Sequence, residues 1–230
     1  MRRLILAFAI VAPLLAIPLF IERQWLIGIA IIVASHALIL IPTLMPNMQW
    51  LGPVITCFET DRDEVWLTID DGPSNDMAAL RELLQRRGVP ATFFVIGKHD
   101  GDSVANHSAT HPSATFWCLP PRRIAKEIDG GVESRWFRAP VGMKNPFVHP
   151  ALARRRMRLI GWTVRGFDAT RDDAEDVVQR IVSRLRPGAI IAMHQGRPWS
   201  LRGIECVIDE LQRRGYAFVI PSDDRLKTKR

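Results

Sequence analysis

The sequence predicts an α/β domain carried behind two membrane-spanning helices. Three observations lead there. Two uncharged apolar runs fill most of the first 45 residues. Beyond residue 60, short segments rich in β-branched and aromatic residues alternate with amphipathic ones, the pattern of parallel strands joined by right-handed helical crossovers. Polar residues able to do chemistry gather at the ends of those strands. A length of 230 residues fits one ordinary domain plus a small addition. A composition of 47% apolar and 24% charged residues excludes a disordered tail or a fibrous repeat.

Leu4 to Ile21 carries no charge and is long enough to cross most of a hydrocarbon layer of roughly 30 Å. Glu22, Arg23 and Gln24 interrupt it, and Trp25 to Met45 follows as a second uncharged run. Trp25 at its start and Trp50 just past its end resemble an interfacial aromatic belt. Neither run has the polar face of a soluble core helix, and no small-x-small cleavage site follows the first, which argues against a signal peptide. His36 lies inside the second run, where a neutral imidazole bonded to Ser35 or to a backbone carbonyl needs no functional role. Arg2 and Arg3 precede the first run and no basic residue follows Arg23 until Arg62. The positive-inside rule then keeps the N-terminus cytoplasmic, and two spans return the chain to that side. The expectation is a multi-pass protein of the inner (cytoplasmic) membrane with its catalytic domain facing the cytoplasm. A single span would put that domain outside.

Residues 46–63 read as a linker between the membrane hairpin of residues 1–45 and a catalytic domain at 64–221. Strands are expected at Glu64–Ile69, Ala91–Ile96, Trp136–Phe137, Leu159–Val164, Ala189–His194 and Ala217–Ile220. Helices are expected at Asn75–Arg87, with Gly88 as its cap, and at Pro121–Ile128, His149–Met157, Asp172–Leu185 and Leu201–Arg214. Residues 222–230 form a basic tail in which Arg225, Lys227, Lys229 and Arg230 suit an anionic lipid surface. Three widely spaced cysteines, Cys57, Cys118 and Cys206, exclude a disulfide framework and an all-cysteine zinc site. The net charge of +7 favours anionic partners. No nucleic-acid recognition motif accompanies it, and the runs around Arg122–Arg123 and Arg154–Arg158 read chiefly as solvated helix faces.

Chemistry is expected where strands end. Asp70–Asp71–Gly72–Pro73 closes a hydrophobic strand. His107 and His111 stand at i and i+4, which on one helical turn makes them neighbours able to share a cation. A catalytic zinc uses three protein ligands and an open position for water. The two histidines and one carboxylate of the Asp pair supply that set, and the other carboxylate, facing the opposite way along a strand, is left as general base. His194, ending the strand IIAMH, is placed to protonate a leaving group. Trp199 either stacks on a sugar or packs beneath its own loop.

LTIDDGPS at 67–74, ATFFVIG at 91–97, NHSATHP at 106–112, RAPVG at 138–142 and IIAMH at 190–194 resemble, in order, the motifs of the polysaccharide deacetylase family, the NodB-homology carbohydrate esterases. The resemblance spans about residues 65 to 220 and leaves the membrane segment outside. It implies a distorted, incomplete (β/α) barrel and divalent-metal-dependent hydrolysis of the N-acetyl group of an amino sugar, with Zn2+ the first candidate. Matched position by position, it implies Asp70 as catalytic base, Asp71, His107 and His111 as metal ligands, and Arg138 as the residue positioning the base. It further implies His194 as catalytic acid tuned by Asp168, and the backbone N–H of Val141 facing the oxyanion. Three departures stand out. The stretches 97–107 and 129–138 are short, and the family's Asp-x-x-Asp-Trp becomes Arg165-Gly-Phe-Asp168-Ala169.

These readings converge on a membrane-anchored carbohydrate N-deacetylase whose substrate is a lipid-linked sugar or glycolipid. The rival expectations are a catalytically impaired sugar-binding protein of the same fold and a deacetylase of an external cell-wall glycan.

Overall fold

The computed structural model describes residues 1–228; Lys229 and Arg230 of the basic tail lie outside the described residues. Helix α1 (Arg2–Ile21) and helix α2 (Trp25–Leu44) form an antiparallel hairpin through the turn at 22–24, where Phe20 and Trp25 pack ring against ring at 5.9 Å. Both are long and apolar enough to cross a membrane, and most of their side chains are exposed. His36 bonds to the Ile32 carbonyl at 2.8 Å and to Ser35 at 3.2 Å, which satisfies it locally.

The open end of the hairpin is fastened to the domain. The last carbonyls of a helix have no partner within it. Here the fully buried Lys144 ammonium donates to the carbonyls of Pro42, Met45 and Pro46 at 3.1, 2.8 and 2.8 Å. The Lys144 backbone N–H donates to Thr43, and Arg2 donates to the Pro146 carbonyl at 3.0 Å.

The domain alternates strand and helix. Strands are β1 (Val54–Phe58), β2 (Glu64–Gly72), β3 (Ala91–Val95), β4 (Val104–Asn106), β5 (Trp136–Phe137), β6 (Arg158–Ile160), β7 (Val164–Arg165), β8 (Ala189–His194), β9 (Ala217–Phe218) and β10 (Leu226–Thr228). Helices are α3 (Met77–Arg87), α4 (Pro121–Asp129), α5 (Val148–Arg154), α6 (Ala174–Val182) and α7 (Ser200–Arg213). Seven strands make a ring in the order β1-β6-β5-β4-β3-β2-β8, which returns from β8 to β1. Every pairing in it is parallel except this last one, where Cys57 lies opposite Ala189. The barrel is thus distorted and one strand short of eight, yet closed.

Period-two alternation sorts the side chains. On β2, Val65, Leu67 and Ile69 face α3, α6 and α7 in the outer core, and on β8 Ala189, Ile191 and Met193 do the same. The alternate residues Trp66 and Ile190 fill the barrel with Phe94 and Trp136. Trp66 is fully buried, donates to Thr92 at 3.0 Å and packs on Trp136 at 4.8 Å. Continuing inward along the same register are Thr68 opposite Ala192 and Asp70 opposite His194.

Several boundaries differ from the sequence reading. The segment 46–63, read as linker, contributes β1, and the tail contributes β10, which pairs antiparallel with β1. β10 spans only three residues, too few to show alternation. The single strand expected at 159–164 is two, β6 and β7, separated by the irregular stretch 161–163, where a Cβ on Gly161 would crowd Asn47 and Val54. The short stretch 97–107 still holds β4 although no helix precedes it.

Ring closure depends on Gly188. Its carbonyl accepts from Phe58 N–H at 2.9 Å, its φ is +76°, and a Cβ would overlap the Phe58 carbonyl. Gly188→Ala is expected to cost at least about 2 kcal/mol. Gly203→Ala, on α7 where an added methyl meets open space, is expected to be neutral or to stabilise by up to about 1 kcal/mol. Thermal unfolding of both variants in detergent micelles checks the contrast.

Candidate active site

The carboxyl ends of β2 and β8, with the loops after β4, β5 and β7, enclose a pocket of about 390 Å3. At its base Arg138 is fully buried. One of its terminal nitrogens donates to Asp70 at 2.6 Å and to Thr68 at 2.8 Å, the other to the Gly161 carbonyl at 2.9 Å, and Nε to Ile160 at 3.3 Å. Its guanidinium also lies 4.1 Å from the Phe94 ring centroid. A buried cation is tolerated only when so paired. The pairing fixes the Asp70 carboxylate in one place.

Strand alternation sends neighbouring side chains apart, and the structure overrides it at Asp71. That residue adopts φ +69°, and the β2–β3 register slips between Ile69 and Gly72. Both carboxylates therefore line the same pocket. Asp71 Oδ1 lies 3.5 Å from Nε2 of His107 and 3.5 Å from Nε2 of His111.

The two histidines do not share a helical turn as the spacing suggested. They occupy a loop after β4 in which Ser108 and His111 have φ of 71° and 49°. Pro112 disfavours helix at His111, and side chains hold the loop open instead. Asn106 donates to the Ile128 and Val132 carbonyls and accepts from Ser108 N–H, while the Ser108 hydroxyl accepts from His111 N–H. Glu127 on α4 accepts from both the Thr110 amide and hydroxyl.

Asp71, His107 and His111 offer three ligand atoms within 4.8 Å of one another. His107 Nδ1 faces the Arg138 carbonyl at 2.9 Å. A carbonyl only accepts, so Nδ1 carries a proton, and Nε2 is the ring atom turned towards Asp71 and His111. Burial resists ionisation of Asp71, but the hydrogen bond and charge of His107, with the charges of His194 and His111, outweigh it and hold the carboxyl down to about 2. Burial, then the charge of His107, push His111 down to about 4 against the pull of Asp71. A carboxylate and two imidazole nitrogens are the donor set a divalent cation such as zinc takes, any proton on a ligand nitrogen being released on binding.

On the facing wall, His194 Nδ1 is 3.0 Å from Asp168 Oδ1, and its backbone N–H donates to Asp168 Oδ2 at 2.6 Å. Trp199 donates to the Asp168 carbonyl at 2.7 Å and does not line the pocket. Of the two places expected for it, it takes the one beneath the loop, and from there it holds the Asp168 turn. Val141 lines the pocket with φ +48°, a strained conformation for a β-branched residue. Trp162, Arg165 and Phe167 complete a wall that the sequence reading had not assigned. The only signal there was the charge reversal at Arg165.

Burial by itself lowers the basicity of His194, but its bond to Asp168 and the charges of Asp168, Asp70 and Asp71 push it up to about 9. The imidazole is thus protonated at neutral pH, as a proton donor requires. Because the folded value exceeds the ordinary 6.5, its contribution to stability is complete below pH 6.5 and fades as pH rises through about 9. In metal-free protein, Asp168→Asn is expected to lower the His194 titration midpoint by more than about one pH unit. Imidazole nitrogen NMR against pH reads it, and an unmoved midpoint would show that Asp168 does not tune His194.

Residues 58–160 match the family described as polysaccharide deacetylase. A chitooligosaccharide deacetylase of Rhizobium leguminosarum bv. phaseoli is 31% identical over 164 residues, covering 60% of this chain and 71% of that protein. The family 4 carbohydrate esterase of Streptomyces lividans is 28% identical at a TM-score of 0.60, over 71% of this chain and 95% of its own. A family 4 pseudoenzyme from Bacillus anthracis is 26% identical at a TM-score of 0.62, over 71% of this chain and 65% of its own. Sequence, barrel and site agree: this chain belongs to the polysaccharide deacetylase family and is a carbohydrate N-deacetylase.

Proposed function

We propose that the protein is a membrane-anchored, metal-dependent deacetylase that removes the N-acetyl group of an amino sugar carried on a lipid. The observation that carries the chemistry is one pocket holding Asp70 on Arg138, the Asp71, His107 and His111 cluster, and His194 on Asp168. Asp71, His107 and His111 would hold a divalent cation, Zn2+ first. When bound, it supplies Lewis-acid polarisation of the acetyl carbonyl and makes water more acidic. Asp70, oriented by Arg138, accepts the proton of the attacking water. His194 hands a proton to the nitrogen as the C–N bond breaks, so acetate and the free amine leave. The Val141 backbone N–H faces the carbonyl oxygen as its negative charge grows.

The retained charges disfavour the reading of a sugar-binding pseudoenzyme, since a binding module has no need of a tuned acid opposite a clamped base. Anchoring rests on the hairpin at 1–45, and Arg2 and Arg3 favour a cytoplasmic catalytic domain. The folded unit then runs from β1 at 54 through β10. A chitooligosaccharide, the substrate in the name of the rhizobial relative, is the reference glycan against which a lipid-linked sugar is to be compared.

Asp70→Asn is expected to lower the acetate release rate by about 10²–10⁴-fold with the fold intact. Combining His107→Ala with His111→Ala is expected to abolish near-stoichiometric zinc uptake, read by elemental mass spectrometry. Uptake that survives the double change would refute the ligand assignment. A C-terminal fluorescent-protein fusion is expected to glow and a phosphatase fusion to be inactive. The reverse would put the domain outside and make a cell-wall glycan the substrate.

A further inference from the structure

The pocket contains a second arginine whose situation is the opposite of that of Arg138. Arg165 ends β7, paired through its backbone with Ala192 two residues before His194. Its side chain lines the pocket together with Asp71, His107, His111 and His194. The guanidinium lies 5.1 Å from the Trp162 ring centroid and 4.2 Å from that of Phe167. It makes no hydrogen bond or ion pair with any described residue, whereas every nitrogen of Arg138 is engaged by the protein. The Asp168 carboxylate, the nearest acid along the chain, is committed to His194 through both oxygens. Five N–H donors are thus held in a half-buried pocket by two aromatic faces and left uncommitted. Arg197, exposed at the rim of the same pocket, adds a second cation. A planar guanidinium held in this way matches two oxygens of a phosphate.

The same wall meets the foot of the membrane hairpin. Asn47 donates to the Trp162 carbonyl at 2.8 Å. A Cβ on Gly142, another pocket residue, would come within 2.7 Å of Pro46 and would overlap Trp162. The residue whose ring lies beneath Arg165 is therefore bonded through its backbone to the segment that leaves α2, and the neighbouring rim exposes Val141 and Phe167.

We propose that Arg165 is a specificity residue that binds the phosphate through which the amino sugar is joined to its lipid. This rests on the deacetylase reading and narrows its substrate to a phosphate-linked amino sugar presented from the bilayer surface.

The test uses the full chain in detergent micelles. Calorimetry compares methyl N-acetylglucosaminide, N-acetylglucosamine 1-phosphate, its farnesyl phosphodiester and inorganic phosphate on the wild type, Arg165→Lys and Arg165→Ala. Far-ultraviolet circular dichroism verifies folding. Wild type is expected to bind both sugar phosphates at least about 10-fold tighter than the uncharged sugar, the value of one charge-assisted contact. The farnesyl ester should bind tightest. Arg165→Ala should erase the preference for the sugar phosphates over the uncharged sugar, and Arg165→Lys should keep part of it. Equal wild-type affinity for charged and uncharged sugars, or an unaltered preference in Arg165→Ala, would overturn the assignment. Inorganic phosphate binding as tightly as the sugar phosphates would reduce Arg165 to an adventitious anion site. No gain from the farnesyl chain would overturn the lipid source. Acetate release with zinc added separates the two readings. Arg165-dependent binding without acetate from any sugar defeats the deacetylase reading alone. Acetate released equally by wild type and Arg165→Ala from all sugars defeats the Arg165 assignment alone.

Discussion

One buried guanidinium holds the site together. Arg138 sits inside the barrel where no water can solvate it, so the fold must supply every partner. It draws on Thr68 and Asp70 of β2, the carbonyls of Ile160 at the end of β6 and of Gly161 just beyond, and the face of Phe94 on β3. Its own carbonyl then fixes the tautomer of His107. A single residue therefore orients Asp70, ties three strands together and positions one imidazole of the Asp71, His107 and His111 cluster. Removing it would leave the Asp70 carboxylate buried without its partner, an error of several kcal/mol.

The second organising rule is register. Because β2 and β8 run parallel with Asp70 opposite His194, the same period-two pattern that sends Ile69 and Met193 into the outer core sends Asp70 and His194 into the pocket together. Asp71 escapes that rule only through its positive φ and the register slip beside it. The fold thus gathers two carboxylates into one cavity with a third buried behind its wall, and gives them separate fates. Asp70 is clamped by an arginine, Asp71 faces two imidazoles, and Asp168 is spent on His194.

Much of this was legible in the chain. Val65, Leu67 and Ile69 alternate cleanly, α3 ends at Gly88 as its left-handed cap, and the chemical residues sit at strand ends because α/β folds put them there. What stayed hidden was local and nonperiodic. β4 and β10 are too short to carry a pattern and exist because neighbours need edge partners. The loop around His107 imitates helical spacing, yet Pro112 and the Asn106 and Ser108 side chains shape it. Trp199 offered no cue to distinguish a sugar platform from a hydrogen-bond donor, since only the position of Asp168 in space decides it.

The clamp at Lys144 has a consequence for the molecule as a whole. Its ammonium is buried, and all three of its acceptors belong to the end of α2 and the two residues just beyond. Only two residues separate it from Val141 on the pocket wall. A chain cut to begin after the hairpin would keep Asp70, Asp71, His107, His111 and His194 but strand an enclosed positive charge beside the loop that lines the pocket. Solubility gained by such a cut would come with a slackened pocket, because the foot of the hairpin is part of the domain's interior.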